Sequence, residues 1–159
     1  MKLRQGCRGW QILIPALALD RIGKALALAF LAGKGSRSVL PGLLSWAYVE
    51  NRGMAFGLAS GSGWILIALT ALVTAALLAH LLRHPEDPKL FRAGLWMIVG
   101  GGLGNLYDRI AYGFVVDFIR LDFIDFPVFN PADVFVCAGA ALAALSVLVT
   151  EAKGGKKHG

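Results

Sequence analysis

The sequence predicts an all-α polytopic membrane protein with four transmembrane helices and a small extracytoplasmic β-cradle in the first outer loop. Two observations predict this class. Apolar residues make up 57% of the 159 positions and charged residues only 16%, whereas typical soluble domains contain about 45–50% apolar and about 25% charged residues. The apolar residues also gather into four stretches, and a helical span needs about 20 such residues. We therefore expect one membrane-embedded domain over residues 1–159.

The four predicted spans differ in polarity. We place them at residues 10–32, 63–82, 91–112 and 131–150, with outer loops at 33–62 and 113–130. The second span contains no Asp, Glu, Lys or Arg, whereas the first contains Asp20, Arg21 and Lys24. A cleaved secretory signal has no reason to carry such charges in its apolar part. We therefore interpret the first stretch as a retained helix.

Basic residues lie unevenly on the two sides of the predicted bundle. Nine Lys and Arg residues lie in the termini and in the break between the second and third spans, and four lie in the outer loops. Because Lys and Arg concentrate on the cytoplasmic side, we expect both termini in the cytoplasm. This topology explains where the basic residues lie that give the chain its net charge of +6. We therefore expect no nucleic-acid partner.

The first outer loop contains strand-forming sequence. Residues 43–49 read LLSWAYV, and a glycine-punctuated segment, NRGMAFG, follows at 51–57. Aromatic and β-branched residues bounded by glycines are typical of short strands and turns. We expect a small sheet at the membrane surface, where Trp46, Tyr48 and Phe56 would favour the interface.

Ionisable side chains inside spans need partners, because each costs about 2.5–3.5 kcal/mol at the bilayer centre. Asp20 and Lys24 are four residues apart, in the acid-first order that favours an ion pair on one helical face. Asn105, Asp108 and Arg109 share a face of the third span by the same spacing. Such groups either neutralise one another inside the bundle or brace an active site, and the two interpretations are compatible.

Two carboxylates lie where apolar sequence meets water. Asp117 has two apolar neighbours on each side, and Asp133 directly precedes the uncharged stretch of the fourth span. Two carboxylates brought together share a proton, because both cannot ionise cheaply. An aspartyl protease needs this arrangement, since one carboxylate activates water while the other protonates the scissile carbonyl. These arguments alone leave Asp122 and Asp125 open as alternatives.

Other chemistries lack their sequence signatures. The chain has no HExxH or CxxC motif, and its glycine-rich segment GGGLGN at 100–105 matches no phosphate loop. We therefore expect no metal and no cofactor. A small transporter or lipid-binding protein is the main rival interpretation, but such proteins often contain an internal repeat, and none is found here. A structural subunit held through the glycine-rich third span is the second rival.

Five segments in chain order closely resemble signal peptidase II, the lipoprotein signal peptidase of bacteria. They are DRIGK at 20–24, NRGMAF at 51–56, GGLGNLYDR at 101–109, VVDF at 115–118 and FNPAD at 129–133. The resemblance implies a multi-pass aspartyl endopeptidase of the inner membrane, with its site near the outer face. It would remove signal peptides from diacylglyceryl-modified prolipoproteins, cutting before the lipidated cysteine.

The resemblance also implies particular residues and partners. The catalytic aspartates would be Asp117 and Asp133. The supporting residues would be Asp20, Lys24, Asn51, Gly53, Asn105, Arg109 and Asn130. Membrane lipids would be further partners, and globomycin the expected inhibitor.

The two aspartates are expected to differ in charge. Asn130-Pro131 is typical of a helix N-cap followed by proline at the first helical position, which places Asp133 in the first turn. The positive end of the helix dipole favours a charged carboxylate there, whereas the apolar neighbours of Asp117 disfavour its ionisation. We hypothesise that Asp133 is charged and Asp117 holds the shared proton.

Overall fold

The computed structural model describes residues 9–53 and 63–155, and it confirms the mostly helical class. Its elements are α1 (Trp10–Phe30), β1 (Arg37–Leu40), β2 (Leu44–Asn51), α2 (Gly63–Arg83), α3 (Lys89–Tyr112), β3 (Val115–Leu121) and α4 (Pro131–Gly155). Phe56, which we expected at the membrane interface, and most of the NRGMAFG segment lie outside the described residues.

The four helices have the length that a membrane span requires. They contain 21 to 25 residues each, which is at least about 31 Å at 1.5 Å per residue. By length and composition, α2 and α4 are apolar enough to cross a membrane. Large apolar side chains on α2, such as Trp64 and Leu72, are more than two thirds exposed. Such a surface suits contact with lipid rather than with water.

Helix α3 packs against the other three helices, and glycines allow its close approach to α4. A Cβ atom on Gly94 would lie 2.5 Å from the backbone oxygen of Gly139, and one on Gly101 would lie 2.3 Å from that of Ala132. Close van der Waals packing at small residues is a main attraction between helices in lipid. The glycines therefore fix the distance between α3 and α4.

The sheet extends beyond the loop in which we predicted it. Its three strands are antiparallel in the order β1-β2-β3, and β3 comes from the second outer loop, for which no strand was predicted. Val116 and Phe118 of β3 are buried against Ala27 and Leu31, at the end of α1. A short apolar run such as VVDFI is consistent with a buried strand, but periodicity alone does not identify the structure of so short a run.

The contact between α3 and α4 generates a stability prediction. Gly139→Ala would place a Cβ atom 2.5 Å from the backbone oxygen of Gly94 and 2.9 Å from the Cβ atom of Met97. We expect it to lower the free energy of unfolding in detergent by about 1–2 kcal/mol, because overpacking outweighs the better helix propensity of alanine.

Gly63→Ala is the matched control. Among the described residues, no atom lies within 4 Å of a Cβ atom at this position. We expect a change of at most about 0.5 kcal/mol. Equal effects of the two substitutions would contradict the tight contact.

Candidate active site

Four charged side chains meet between α1 and α3. The Nζ atom of Lys24 lies 3.0 Å from Oδ1 of Asp20 and 2.8 Å from Oδ2 of Asp108. The Nη2 atom of Arg21 lies 2.7 Å from each of the same two carboxylates. Asp20, Lys24 and Asp108 are almost fully buried. Two positive and two negative charges therefore neutralise one another, which offsets the cost of removing them from water.

The predicted ion pair between Asp20 and Lys24 is present. Asp108, which spacing placed on one face of α3 with Asn105 and Arg109, was not among the expected supporting residues, and its ion pairs with Lys24 and Arg21 were not predicted. Besides binding Lys24 and Arg21, its Oδ2 atom accepts a hydrogen bond from the backbone N–H of Val116 on β3, at 3.1 Å. A charge count on α1 was the available signal. Asp20, Arg21 and Lys24 sum to +1, so a second acid was needed nearby.

Asn105 connects the charged cluster to Asp133. Its Oδ1 atom accepts hydrogen bonds from Lys24 Nζ at 2.8 Å and from Asn130 Nδ2 at 3.2 Å. Its Nδ2 atom donates to Asp133 Oδ1 at 2.8 Å. Because an ammonium group can only donate, Lys24 fixes which end of the amide faces it. The amide NH2 group must then face Asp133.

Asp133 and Asn130 form a reciprocal cap at the start of α4. The backbone N–H of Asp133 donates to Asn130 Oδ1 at 3.1 Å, and the backbone N–H of Asn130 donates to Asp133 Oδ2 at 3.2 Å. This is the geometry of a capping box. The backbone N–H of Ala132, also in the first turn of α4, donates to Asp20 Oδ1 at 3.2 Å. The charged cluster and the cap therefore hold the same helix end.

Asp117 lies on β3 and is 1% exposed. Asn130 Nδ2 donates to its Oδ1 atom at 2.6 Å, and Asn51 Nδ2 donates to its Oδ2 atom at 2.9 Å. Burial raises the pKa of Asp117 to about 6. The two hydrogen bonds oppose this rise in pKa, whereas the nearby charge of Asp133 adds to it.

A glycine orients Asn51. The backbone N–H of Gly53 donates to Asn51 Oδ1 at 2.9 Å, so the amide NH2 group of Asn51 is left for Asp117. Gly53 has φ +83°, and a Cβ atom there would lie 2.3 Å from Cδ1 of Leu66. The left-handed backbone favours glycine at this position, and any side chain there would also displace the end of Leu66.

Arg109 lies in the last turn of α3 and lines a cavity of about 220 Å³ together with Asn51 and Trp64. Its Nη1 atom donates to the backbone oxygen of Asn105 at 3.5 Å. Asp122 binds the Ser45 hydroxyl and Arg120 instead.

The structure thus joins Asp117 and Asp133 through Asn130. The same hydrogen-bond and ion-pair network includes five of the other expected supporting residues: Asp20, Lys24, Asn51, Gly53 and Asn105. Asp122 takes part in none of its hydrogen bonds, and Asp125 is exposed.

Comparisons with known proteins agree with one another. The family model described as Signal peptidase (SPase) II matches residues 12–149. The lipoprotein signal peptidase of Syntrophomonas wolfei is 42% identical over 142 residues, which cover 89% of this chain and 93% of the relative. That of Symbiobacterium thermophilum is 39% identical over 144 residues, covering 89% and 94%.

Two solved structures have the same fold. Both are described as a bacterial membrane enzyme studied by the in meso method. The first superposes with a TM-score of 0.80 at 27% identity and covers 88% of this chain and 92% of its own. The second superposes with a TM-score of 0.82 at 26% identity and covers 91% and 90%.

The charged cluster generates a prediction about stability. Lys24→Met removes one of its two cations and leaves a net negative charge in a buried site. We expect the free energy of unfolding to fall by about 3–5 kcal/mol, measured by thermal or denaturant unfolding in detergent. Lys24→Met combined with Asp108→Asn restores neutrality and should recover part of this loss.

Arg52→Met is the matched control, because the ion pair of Arg52 with Glu50 is exposed. We expect it to change the free energy of unfolding by less than about 1 kcal/mol. If Lys24→Met were equally mild, the buried cluster would not stabilise the bundle.

Proposed function

Because this chain belongs to the signal peptidase II family, we propose that it is an aspartyl endopeptidase that removes signal peptides from diacylglyceryl-modified bacterial prolipoproteins. In this proposal the cut falls before the lipidated cysteine. One observation carries the aspartyl mechanism: Asn130 hydrogen-bonds to Asp117 through its side chain and to Asp133 through its backbone. One residue thereby sets both carboxylates in a common site.

The surroundings of the two carboxylates favour different protonation states. Asp133 accepts hydrogen bonds from Asn105 and from the backbone of Asn130, and it lies in the first turn of α4, where the helix dipole favours negative charge. Asp117 is buried, and its raised pKa of about 6 keeps a protonated form accessible near neutral pH. We therefore assign the shared proton to Asp117 and the charge to Asp133.

These states define a reaction sequence. Asp133 takes a proton from water as the water oxygen attacks the scissile carbonyl carbon, and Asp117 donates its proton to the carbonyl oxygen. In the second step the C–N bond breaks and the leaving nitrogen takes the proton from Asp133. The hydroxyl proton of the intermediate returns to Asp117, which restores the starting state. Arg109 supplies positive charge beside both carboxylates and limits the build-up of negative charge.

The placement of this chemistry in the membrane is part of the proposal. Residues 1–159 form one peptidase domain that crosses the bacterial inner membrane four times, with both termini in the cytoplasm because basic residues are more numerous there. Arg109 near the end of α3 and Asp133 at the start of α4 then lie at the outer face. At that depth a diacylglyceryl-cysteine reaches the carboxylates while its acyl chains stay among the membrane lipids. Inhibition by globomycin is expected from the family.

The first prediction of this proposal concerns the two carboxylates. Asp117→Asn and Asp133→Asn should each reduce cleavage of a diacylglyceryl-modified prolipoprotein to background, because a neutral amide cannot move a proton in either role. The measurement is the appearance of free signal peptide with purified protein in detergent.

Asp122→Asn and Asp125→Asn are the controls, since these acids lie outside the hydrogen-bond network of the site. They should cleave within about twofold of the parent. Substantial activity in either Asp117→Asn or Asp133→Asn, with the fold intact, would refute the two-carboxylate mechanism.

The second prediction concerns pH. Because the acid form of Asp117 is required and its pKa is about 6, kcat/KM should fall above about pH 6, by up to tenfold per pH unit. Asn51→Ala removes a hydrogen bond that stabilises the ionised form, so the pKa of Asp117 should rise and the fall should begin at higher pH. If kcat/KM begins to fall at the same pH in Asn51→Ala as in the parent chain, the group that titrates there is not Asp117.

A further inference from the structure

A second cavity lies at the opposite end of the bundle from the two aspartates. It has a volume of about 240 Å³ and lies between the connection of α2 to α3, the beginning of α3 and the last turns of α4. Glu151, which lines it, follows Asp133 by 18 positions on the same helix. At 1.5 Å per residue the two carboxylates are separated by about 27 Å along α4. The proposed mechanism makes no use of this cavity.

The charged side chains that line the cavity are acidic. They are Asp87 and Glu151, and within the described part of the chain no Lys or Arg lines it. Asp87 receives one hydrogen bond, on Oδ2 from His80 Nε2 at 2.8 Å. Its other carboxylate oxygen has no donor among the described residues. The cavity therefore offers carboxylate oxygens that can accept hydrogen bonds from a cation.

A largely buried serine also faces this space. Ser146 lines the cavity and is only 4% exposed. The Thr150 hydroxyl donates to the backbone oxygen of Ser146 at 2.8 Å. The side-chain hydroxyl of Ser146 itself has no hydrogen-bond partner among the described residues. The Ser146 hydroxyl can therefore accept a hydrogen bond from a ligand that carries N–H donors. Phe91 and Val147 provide apolar surface beside it, which suits the methylene stem of a long basic side chain.

We propose that this cavity binds a lysine or arginine side chain from the N-terminal part of the signal peptide that is being removed. The proposal rests on the proposed function. Signal peptides have a positively charged N-terminal region, then 7–15 apolar residues, then the cleavage site. At the upper end of this range, fifteen helical residues span about 22 Å, and about three more before the scissile bond bring the total to about 27 Å, which matches the separation of Glu151 from Asp133. The substrate is thus held at both ends.

Steady-state cleavage in a detergent without amine lipids tests this proposal. One prolipoprotein substrate has a single lysine in its N-terminal region, and the second has glutamine in its place. For the parent chain we expect the neutral substrate to have a KM about five- to tenfold higher with kcat little changed, because the contact is made equally in the ground and transition states. In Glu151→Gln the two substrates should differ by less than about twofold.

Glu86→Gln is the matched control. It removes an acid from the same end of the bundle, but Glu86 pairs with His84 and does not line the cavity. It should keep the full preference for the basic substrate. The cavity assignment is overturned if Glu151→Gln keeps that preference, or if Glu86→Gln loses it as well. Failure of the parent chain to cleave either substrate would instead contradict the proposed function.

Discussion

The arrangement of the site depends on the buried ammonium group of Lys24. Its contacts are to Asp20, Asp108 and Asn105, and each partner holds a different part of the molecule. Asp20 accepts the free N–H of Ala132 at the start of α4, Asp108 accepts a backbone N–H of β3, and Asn105 donates to the carboxylate of Asp133. Because an ammonium group has three donors and no acceptor, these three contacts use its whole capacity. Lys24 therefore contacts each of the three groups that hold the strand, the helix end and the amide around the two aspartates, and Arg21 supports two of them.

Two chemically identical carboxylates acquire different properties because they belong to different secondary structures. Asp133 caps the first turn of α4, so the interactions that stabilise a helix N-terminus also stabilise its negative charge. Asp117 lies in a buried strand, where loss of hydration raises its pKa. Asn130 contacts both and is itself the N-cap of α4. Helix capping and the proposed division of acid and base roles thus depend on the same hydrogen bonds.

The sequence predicted those features that short-range spacing determines. Apolar stretches indicated the helices, the interval between Asp20 and Lys24 indicated their ion pair, and Asn130-Pro131 indicated the start of α4. Contacts between distant positions were not predictable in this way. Arg21 meets Asp108 where α1 and α3 pack together. β3 pairs with β2 although α2 and α3 lie between them in the sequence. Spacing alone could not separate Asp117 and Asp133 from the neighbouring acids, whereas the resemblance to a family selected them.

Helix α4 connects the two ends of the proposed substrate path, since Asp133 lies in its first turn and Glu151 near its end. Its position against α3 is fixed by backbone contacts at Gly94 and Gly139, which leave no room for a Cβ atom. Main-chain atoms cannot change rotamer as side chains can, so such a contact resists sliding of one helix past the other. The distance between the two ends is therefore a property of the folded bundle and not of the substrate. A signal peptide whose basic residue lies too close to its cleavage site could reach either the two aspartates or the cavity at Glu151, but not both at once. In this proposal the enzyme selects substrates by the length between these two points, without contacting the apolar residues that lie between them.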